Sequence, residues 1–290
     1  MEFGFMDITG DSQYQCWNLS DKDEEKVKEL LSHAQKYEAL EMRDAIANGL
    51  TGWWYGAYLM SEEKFMAVAY ITNTFVYLYG RDKTAMRCIG RNLGRNTPKR
   101  SGTASHAIFG PDEYVKAFWH GFEIAGKDVK SDSQLNLCEL TEIACKQNDA
   151  YAVRIAEKKD LPLVFEFLGE ALIDELGMDV RRLGREGHEK YCAEQIANGR
   201  IVLGTHRGKP AFVGEFREAA QGIFIEHAHF PIAMRRPKVM RGIHARLAEC
   251  LLEKNPTLLL YVDAANEDLK AAIDEVGYRV VMLGRLMRLR

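Results

Sequence analysis

The chain has 290 residues, 47% hydrophobic and 28% charged, which is the balance of a folded protein of one large or two ordinary domains and excludes disorder as its main state. Its 39 basic and 42 acidic groups leave a net charge of -3, too little positive field to hold nucleic acid globally. No apolar run approaches the length of a membrane span, and the start lacks the basic and apolar regions of a signal peptide. A cytoplasmic protein with no membrane partner is expected.

The cysteines (Cys16, Cys88, Cys138, Cys145, Cys192 and Cys250) are scattered, with no C-x-x-C pair. Buried free thiols are expected, and no metal site. From the N-terminus, Val27, Leu30 and Leu31 recur at helical spacing within residues 22–35. Residues 53–59 and 65–77 read as strands on either side of the polar turn 61–64. Arg87, Arg91 and Arg95 follow at i, i+4 and i+8, with Lys83, Lys99 and Arg100 beside them. Such a stripe suits a phosphate or an acidic partner, but a solvated helix face is the plainer reading. Residues 134–140 and 153–155 read as a closing and an opening strand, separated by polar 146–149.

A short echo organises the whole. Ile46-Ala47-Asn48-Gly49 returns as Ile196-Ala197-Asn198-Gly199, each copy preceded by helical patterns and followed by strands. In the second half the helix covers 160–175 and the hairpin 201–205/211–215, around Arg207-Gly208-Lys209-Pro210. A tandem duplication is the economical account, with domains at 1–145 and 150–290.

The segment from 223 to 254 carries the chemistry. Residues 223–234 are strand-like, with Pro231 demanding a bulge or splayed edge. Arg235, Arg236, Lys238 and Arg241 then lead through Gly242 into a helix at 243–254. A strand, a basic glycine-containing loop and a helix N-terminus are what an anion site requires, because free N–H groups and the helix dipole point at the anion. A solvated basic loop accounts for the charges equally well. A strand at 257–262, a turn ending in Asn266, a helix to 275 and a strand at 279–286 complete the chain.

Leu260-Tyr261-Val262-Asp263-x-x-Asn266 followed by Val276-Gly277-Tyr278-Arg279 resembles the GNAT N-acetyltransferases. So do Glu175-Leu176-Gly177-Met178-Asp179, Asn198-Gly199-Arg200 and the 207–209 turn. The last three, with Ala107 to Asp112 leading into Val115 to Trp119, are similar to a tandem subgroup whose N-terminal domain is degenerate. The resemblance implies an α/β fold of two GNAT-like domains, each a mixed, splayed central sheet flanked by helices. It also implies acetyl-CoA as co-substrate and direct transfer of its acetyl group to a primary amine.

The implied cofactor residues are the backbone of Ile232, Ala233 and Met234, then Arg236, Lys238, Arg241, Gly242, Ile243 and Asn266. The first domain, lacking a glycine loop ahead of a helix, is expected to bind no acetyl-CoA. This sequence departs from the family's pattern at Val239 and His244 in the phosphate motif, and at Ile273, where the family carries a general-acid tyrosine. A non-catalytic acyl-CoA-binding or regulatory module that kept the fold is the alternative.

Amine attack needs a base. Histidine titrates near neutrality, so His227 and His229 are candidates, followed by Glu226 and Glu215. Alternation places the two histidines on one face of their strand and Glu226 on the other. Taken singly, a hydrogen-bonded wall residue is the plainer reading of each histidine. Glu170, Asp174, Glu175 and Asp179 make the preceding helix region acidic, which suits a cationic small-molecule or peptide amine as partner. Solvated helix-end charges explain them almost as well. Nucleic acid is not an expected partner.

Overall fold

The computed structural model describes residues 13–47, 49–72, 75–96, 107–123, 128–146, 148–176, 179–219 and 221–289. Asn48, Lys99, Arg100, Gly177 and Met178 of the motifs above lie outside them, as does the Glu175 side chain. The chain divides into two units. The first is Met1–Leu135 with Met282–Arg290, and the second is Asn136–Val281.

The first unit runs β1 (Tyr14–Asn18), α1 (Glu24–Ser32), α2 (Leu40–Ile46), β2 (Trp53–Leu59), β3 (Lys64–Ile71), β4 (Phe75–Gly80), α3 (Lys83–Asn96), β5 (Ala107–Pro111), α4 (Asp112–Glu123) and the start of β6 (Val129–Leu140). The single strand expected over 65–77 is two. Thr72 donates its N–H to Phe75 O at 2.8 Å, and its hydroxyl oxygen accepts the Phe75 N–H at 2.9 Å, tying the two strand ends together. Val27, Leu30, Leu31 and Met42 pack with Trp54 on one face of this sheet. Met86, Ile89 and Phe118 pack with Ile108 on the other. Two glycines let α3 and α4 touch. A Cβ on Gly90 would meet Phe118 O at 2.1 Å, and one on Gly121 would meet Arg87 O at the same distance. Arg87 and Arg91 are half-buried and engaged with neighbours rather than forming a free basic face.

The second unit runs from the end of β6 through β7 (Tyr151–Ile155), α5 (Leu161–Leu176), α6 (Val180–Leu183), α7 (Arg185–Ala197), β8 (Ile201–His206), β9 (Lys209–Ala219), β10 (Gly222–His229), α8 (Pro237–Leu252), β11 (Leu258–Asp263) and α9 (Glu267–Asp274) into β12 (Arg279–Leu289). Its strand order is β6-β11-β10-β9-β8-β7. Val164, Leu168, Cys192, Ile196 and Val213 pack α5 and α7 on one face. Ile243, Leu247, Leu251, Ile273 and Tyr278 pack α8 and α9 on the other. All six cysteines are free, with Cys88, Cys138 and Cys192 buried. No helix among the described residues is long and apolar enough to cross a membrane.

Residues 282–290, read from the sequence as part of the second half, group with the first unit. There Gly284 to Arg288 of β12 pair antiparallel with Pro111 to Ala107 of β5. An otherwise unpaired edge of β5 supplies the reason. The strand is held by Arg285, whose Nε donates to Asp112 at 2.6 Å and whose Nη1 donates to Asp132 at 2.6 Å. Burial works against the Asp112 carboxylate, yet Lys116 and Arg285 hold its pKa below the usual value. Arg285→Ala removes the cation that Asp112 and Asp132 share, leaving Asp112 with Lys116 alone, and is expected to destabilise the first unit by about 2 kcal/mol. Hydrogen exchange should show the loss in β5 and α4, and unchanged protection there would refute the role given to Arg285.

Candidate active site

Strand β10 pairs parallel with β11 at Ile223↔Leu258, Phe224↔Leu259 and Ile225↔Leu260, and no farther. Its pairing with β9 resumes after a bulge, at His227↔Glu215, Ala228↔Gly214 and His229↔Val213. β11 meanwhile continues to Asp263. The two neighbours therefore part beyond Ile225 and Leu260, and the bulge at Glu226 starts the divergence.

The strand expected to reach Met234 ends at His229. Pro231 has no N–H to give a neighbouring strand, and Ile232–Met234 forms a 3-10 turn instead. Ile232 and Ala233 are exposed, Ile232 by 83%. The Met234 N–H donates to Pro231 O at 2.7 Å and the Arg236 N–H to Met234 O at 2.8 Å, so the loop satisfies part of its own backbone.

The helix also starts earlier than 243. Arg236 is the N-cap and Pro237 the first helical residue, a position that suits its fixed φ. Four expected cofactor residues thus fall inside α8, Lys238 in its first turn and the other three beyond it. Ile243 is fully buried in the core. Gly242 lies against Tyr151, where a Cβ would sit 2.3 Å from the ring, so it serves helix packing rather than phosphate. Arg241 pairs with Glu275 at the end of α9. What remains at the helix N-terminus is Arg236 and Lys238, both exposed, with no acidic residue in the first turn. Asn266 caps α9, its Oδ1 accepting the Leu269 N–H at 3.0 Å, so this oxygen holds the helix. Ile273, in the tyrosine's place, is 2% exposed within the core.

On the α5/α7 face three of the four candidate bases, Glu215, Glu226 and His227, come together. Glu215 is 2% exposed, and its Oε1 accepts the Tyr191 hydroxyl at 2.6 Å. Burial pushes its carboxyl above the usual glutamate value and Glu226 adds to this, while Tyr191, His227 and Arg200 work the other way. Its second oxygen is buried without a hydrogen bond. His227 stands directly opposite on β10. Glu226, placed on the opposite face by simple alternation, accepts from Arg217 Nε at 2.5 Å and raises the pKa of Glu215 and Tyr191. The bulge shifts the alternation by one residue: Glu226 keeps the face of Phe224 and Arg217, and His227 is brought round to it. Tyr191 had no signal in the sequence, because its partner is 24 residues away on another element.

His229 lies apart from this group. It is 4% exposed, edge-on to Phe167, with Glu170 Oε2 2.8 Å from Nε2 and Asp174 Oδ2 3.5 Å from Nδ1. Burial lowers its pKa despite these carboxylates. Asp174 also takes Arg235 at 2.5 Å. Asp179 caps α6 and pairs with Arg181 at 2.9 Å, so it is a helix-end charge and not part of the wall. His188 is a core residue, its Nε2 3.0 Å from Phe165 O.

No protein-family model and no curated protein matches this sequence. Solved structures do match. A GCN5-related N-acetyltransferase from Sphaerobacter thermophilus has TM-score 0.59 at 14% identity, over 95% of both chains. A GNAT-family acetyltransferase from Colwellia psychrerythraea has TM-score 0.57 at 12% identity, over 95% of this chain and all of that one. A tandem GNAT protein of the clavulanic acid pathway has TM-score 0.54 at 10% identity, over 94% and 97%. This chain has the tandem GNAT fold.

The two GNAT units differ where a helix follows the parting strand. In the first, β4 pairs parallel with β5 at Phe75↔Ala107 to Tyr77↔Phe109, as β10 does with β11. Only Arg81 and Asp82 then precede α3. Asp82 Oδ1 accepts the Ala85 N–H at 2.8 Å, placing a carboxylate at the positive end of the helix. Tyr14 is turned to the same carboxylate, and burial first, then Asp82, pushes its hydroxyl up to about 12. The first unit thus sets its own carboxylate at the start of this helix, where the second carries Arg236 and Lys238.

Proposed function

We propose that the second unit binds acetyl-CoA at the N-terminus of α8 and transfers the acetyl group to a primary amine. The observation that carries this is the parting of β10 from β11 at Ile225 and Leu260, next to an acid-free helix N-terminus flanked by Arg236 and Lys238. Those two cations and the dipole of a 16-residue helix suit phosphate. Acetyl-CoA supplies a thioester carbonyl open to attack.

His227 takes the proton of the attacking ammonium, with Glu215 opposite it and Tyr191 holding Glu215 in place. The amine nitrogen bonds to the carbonyl carbon, the C–S bond breaks, and the second amine proton passes to water as the amide forms. With Ile273 where a tyrosine would donate a proton, the sulfur leaves as thiolate. A thiol has a pKa of about 8.5, so this departure costs little near neutrality.

Calorimetry with CoA tests the cofactor site. Arg236→Ala and Lys238→Ala should each weaken binding about tenfold, more steeply at low salt, while Arg241→Ala leaves it unchanged. The absence of CoA binding to the wild type would refute the reading. The buried Ile273 favours a second one, a module that binds acyl-CoA without turnover. Tight CoA binding with no acetylation across a broad amine panel would replace the first reading by the second.

A further inference from the structure

On α5, Glu166, Glu170 and Asp174 stand at i, i+4 and i+8, on one face. Glu166 is taken by Arg181 at 2.8 Å. The other two converge on the end of β10, where His229 is almost wholly buried beneath them. Glu170 Oε2 lies 2.8 Å from His229 Nε2, and this buried nitrogen, which makes no regular hydrogen bond, faces the two carboxylates. Asp174 holds Arg235, whose Nε also donates to Phe230 O at 2.7 Å.

Arg235 stands at a junction. Its backbone ends the 3-10 turn of the phosphate-facing loop, and the next residue caps α8. Its guanidinium nevertheless reaches to the α5 wall. The geometry points to a cation subsite built from Glu170 and Asp174 over His229, which takes an ammonium group of the acyl acceptor, and in which Arg235 sits as a stand-in until cofactor phosphate draws it away. The inference rests on the acyl-CoA reading of the same unit.

The physical basis is competition for one carboxylate. Asp174 is about half exposed, so exchanging a guanidinium for an ammonium there costs little desolvation. Released Arg235 is one residue from the helix N-cap and gains a phosphate partner. Either ligand that engages its own site therefore removes an obstacle to the other, and the coupling is reciprocal.

Calorimetry with CoA and 1,4-diaminobutane, a pair that cannot react, tests this. In the wild type, saturating diamine should tighten CoA binding by about fivefold to tenfold. Asp174→Asn should bind CoA more tightly than the wild type and lose the effect of diamine. Arg235→Gln should bind the diamine more tightly, with or without CoA, and also lose the coupling. Coupling that persists in Asp174→Asn, or diamine that leaves the wild-type CoA affinity unchanged, overturns the subsite. If the wild type binds no CoA while Arg235→Gln still binds the diamine, the acyl-CoA reading falls and the cation subsite stands.

Discussion

His227→Ala should lower kcat/KM for amine acetylation by about 10²- to 10⁴-fold, the range of a lost general base, and leave CoA affinity unchanged. The pH profile of that variant should lose the limb that rises through neutrality. His229→Ala, which removes a wall residue held among Glu170, Asp174 and Phe167, should keep that limb. Unchanged kinetics in His227→Ala would move the base to Glu226 or Glu215.

Glu215 offers an independent check. Its pKa is raised in the folded state, so the native protein binds more protons than the unfolded chain above the ordinary glutamate value. The ionised carboxyl thus costs stability as pH rises through that range. Glu215→Gln should raise the melting temperature at neutral pH while lowering turnover, the opposite pair of signs to a structural role. A fall in both would refute the functional assignment.

The largest expected stability effect is at His244. The imidazole is 1% exposed among Phe212, Phe230 and Tyr278, and neither ring nitrogen has a hydrogen bond. Burial alone lowers its pKa to about 4. Between that value and about 6.5 the unfolded chain binds the extra proton, so stability falls as pH drops through this window. The loss below pH 4 is on the order of 3 kcal/mol.

His244→Leu, close in volume and with no polar atoms, should remove this acid limb. It should also add about 1–3 kcal/mol at neutral pH, because two buried unpaired nitrogens disappear. Thermal unfolding of the wild type and the variant at pH 4.5 and pH 7 checks both. An equal loss of stability on acidification in the two proteins would refute the assignment.

Local pattern determined much of this protein. Apolar spacing placed α1, α5, α8 and β11 to within a few residues, apart from the start of α8, and the Asn-Gly echo exposed the duplication of elements. The basic segment ahead of α8 and the histidines of β10 were legible because they are contiguous. Residues whose meaning depends on a partner far away in sequence were not. Arg241 was one of several equivalent cations until Glu275 claimed it, and Gly242 was a phosphate glycine until Tyr151 closed over it. Tyr191 acquired a role only opposite Glu215, and His227 shares a face with Glu226 only because a bulge lies between them. The tail beyond Met282 groups with the first unit for a reason no local pattern contains: the partner β5 lies some 170 residues earlier. Periodicity records which face of an element is apolar. Pairing register, bulges and the competition among cations for carboxylates are decided by contacts between elements, and these exist only once the chain has folded.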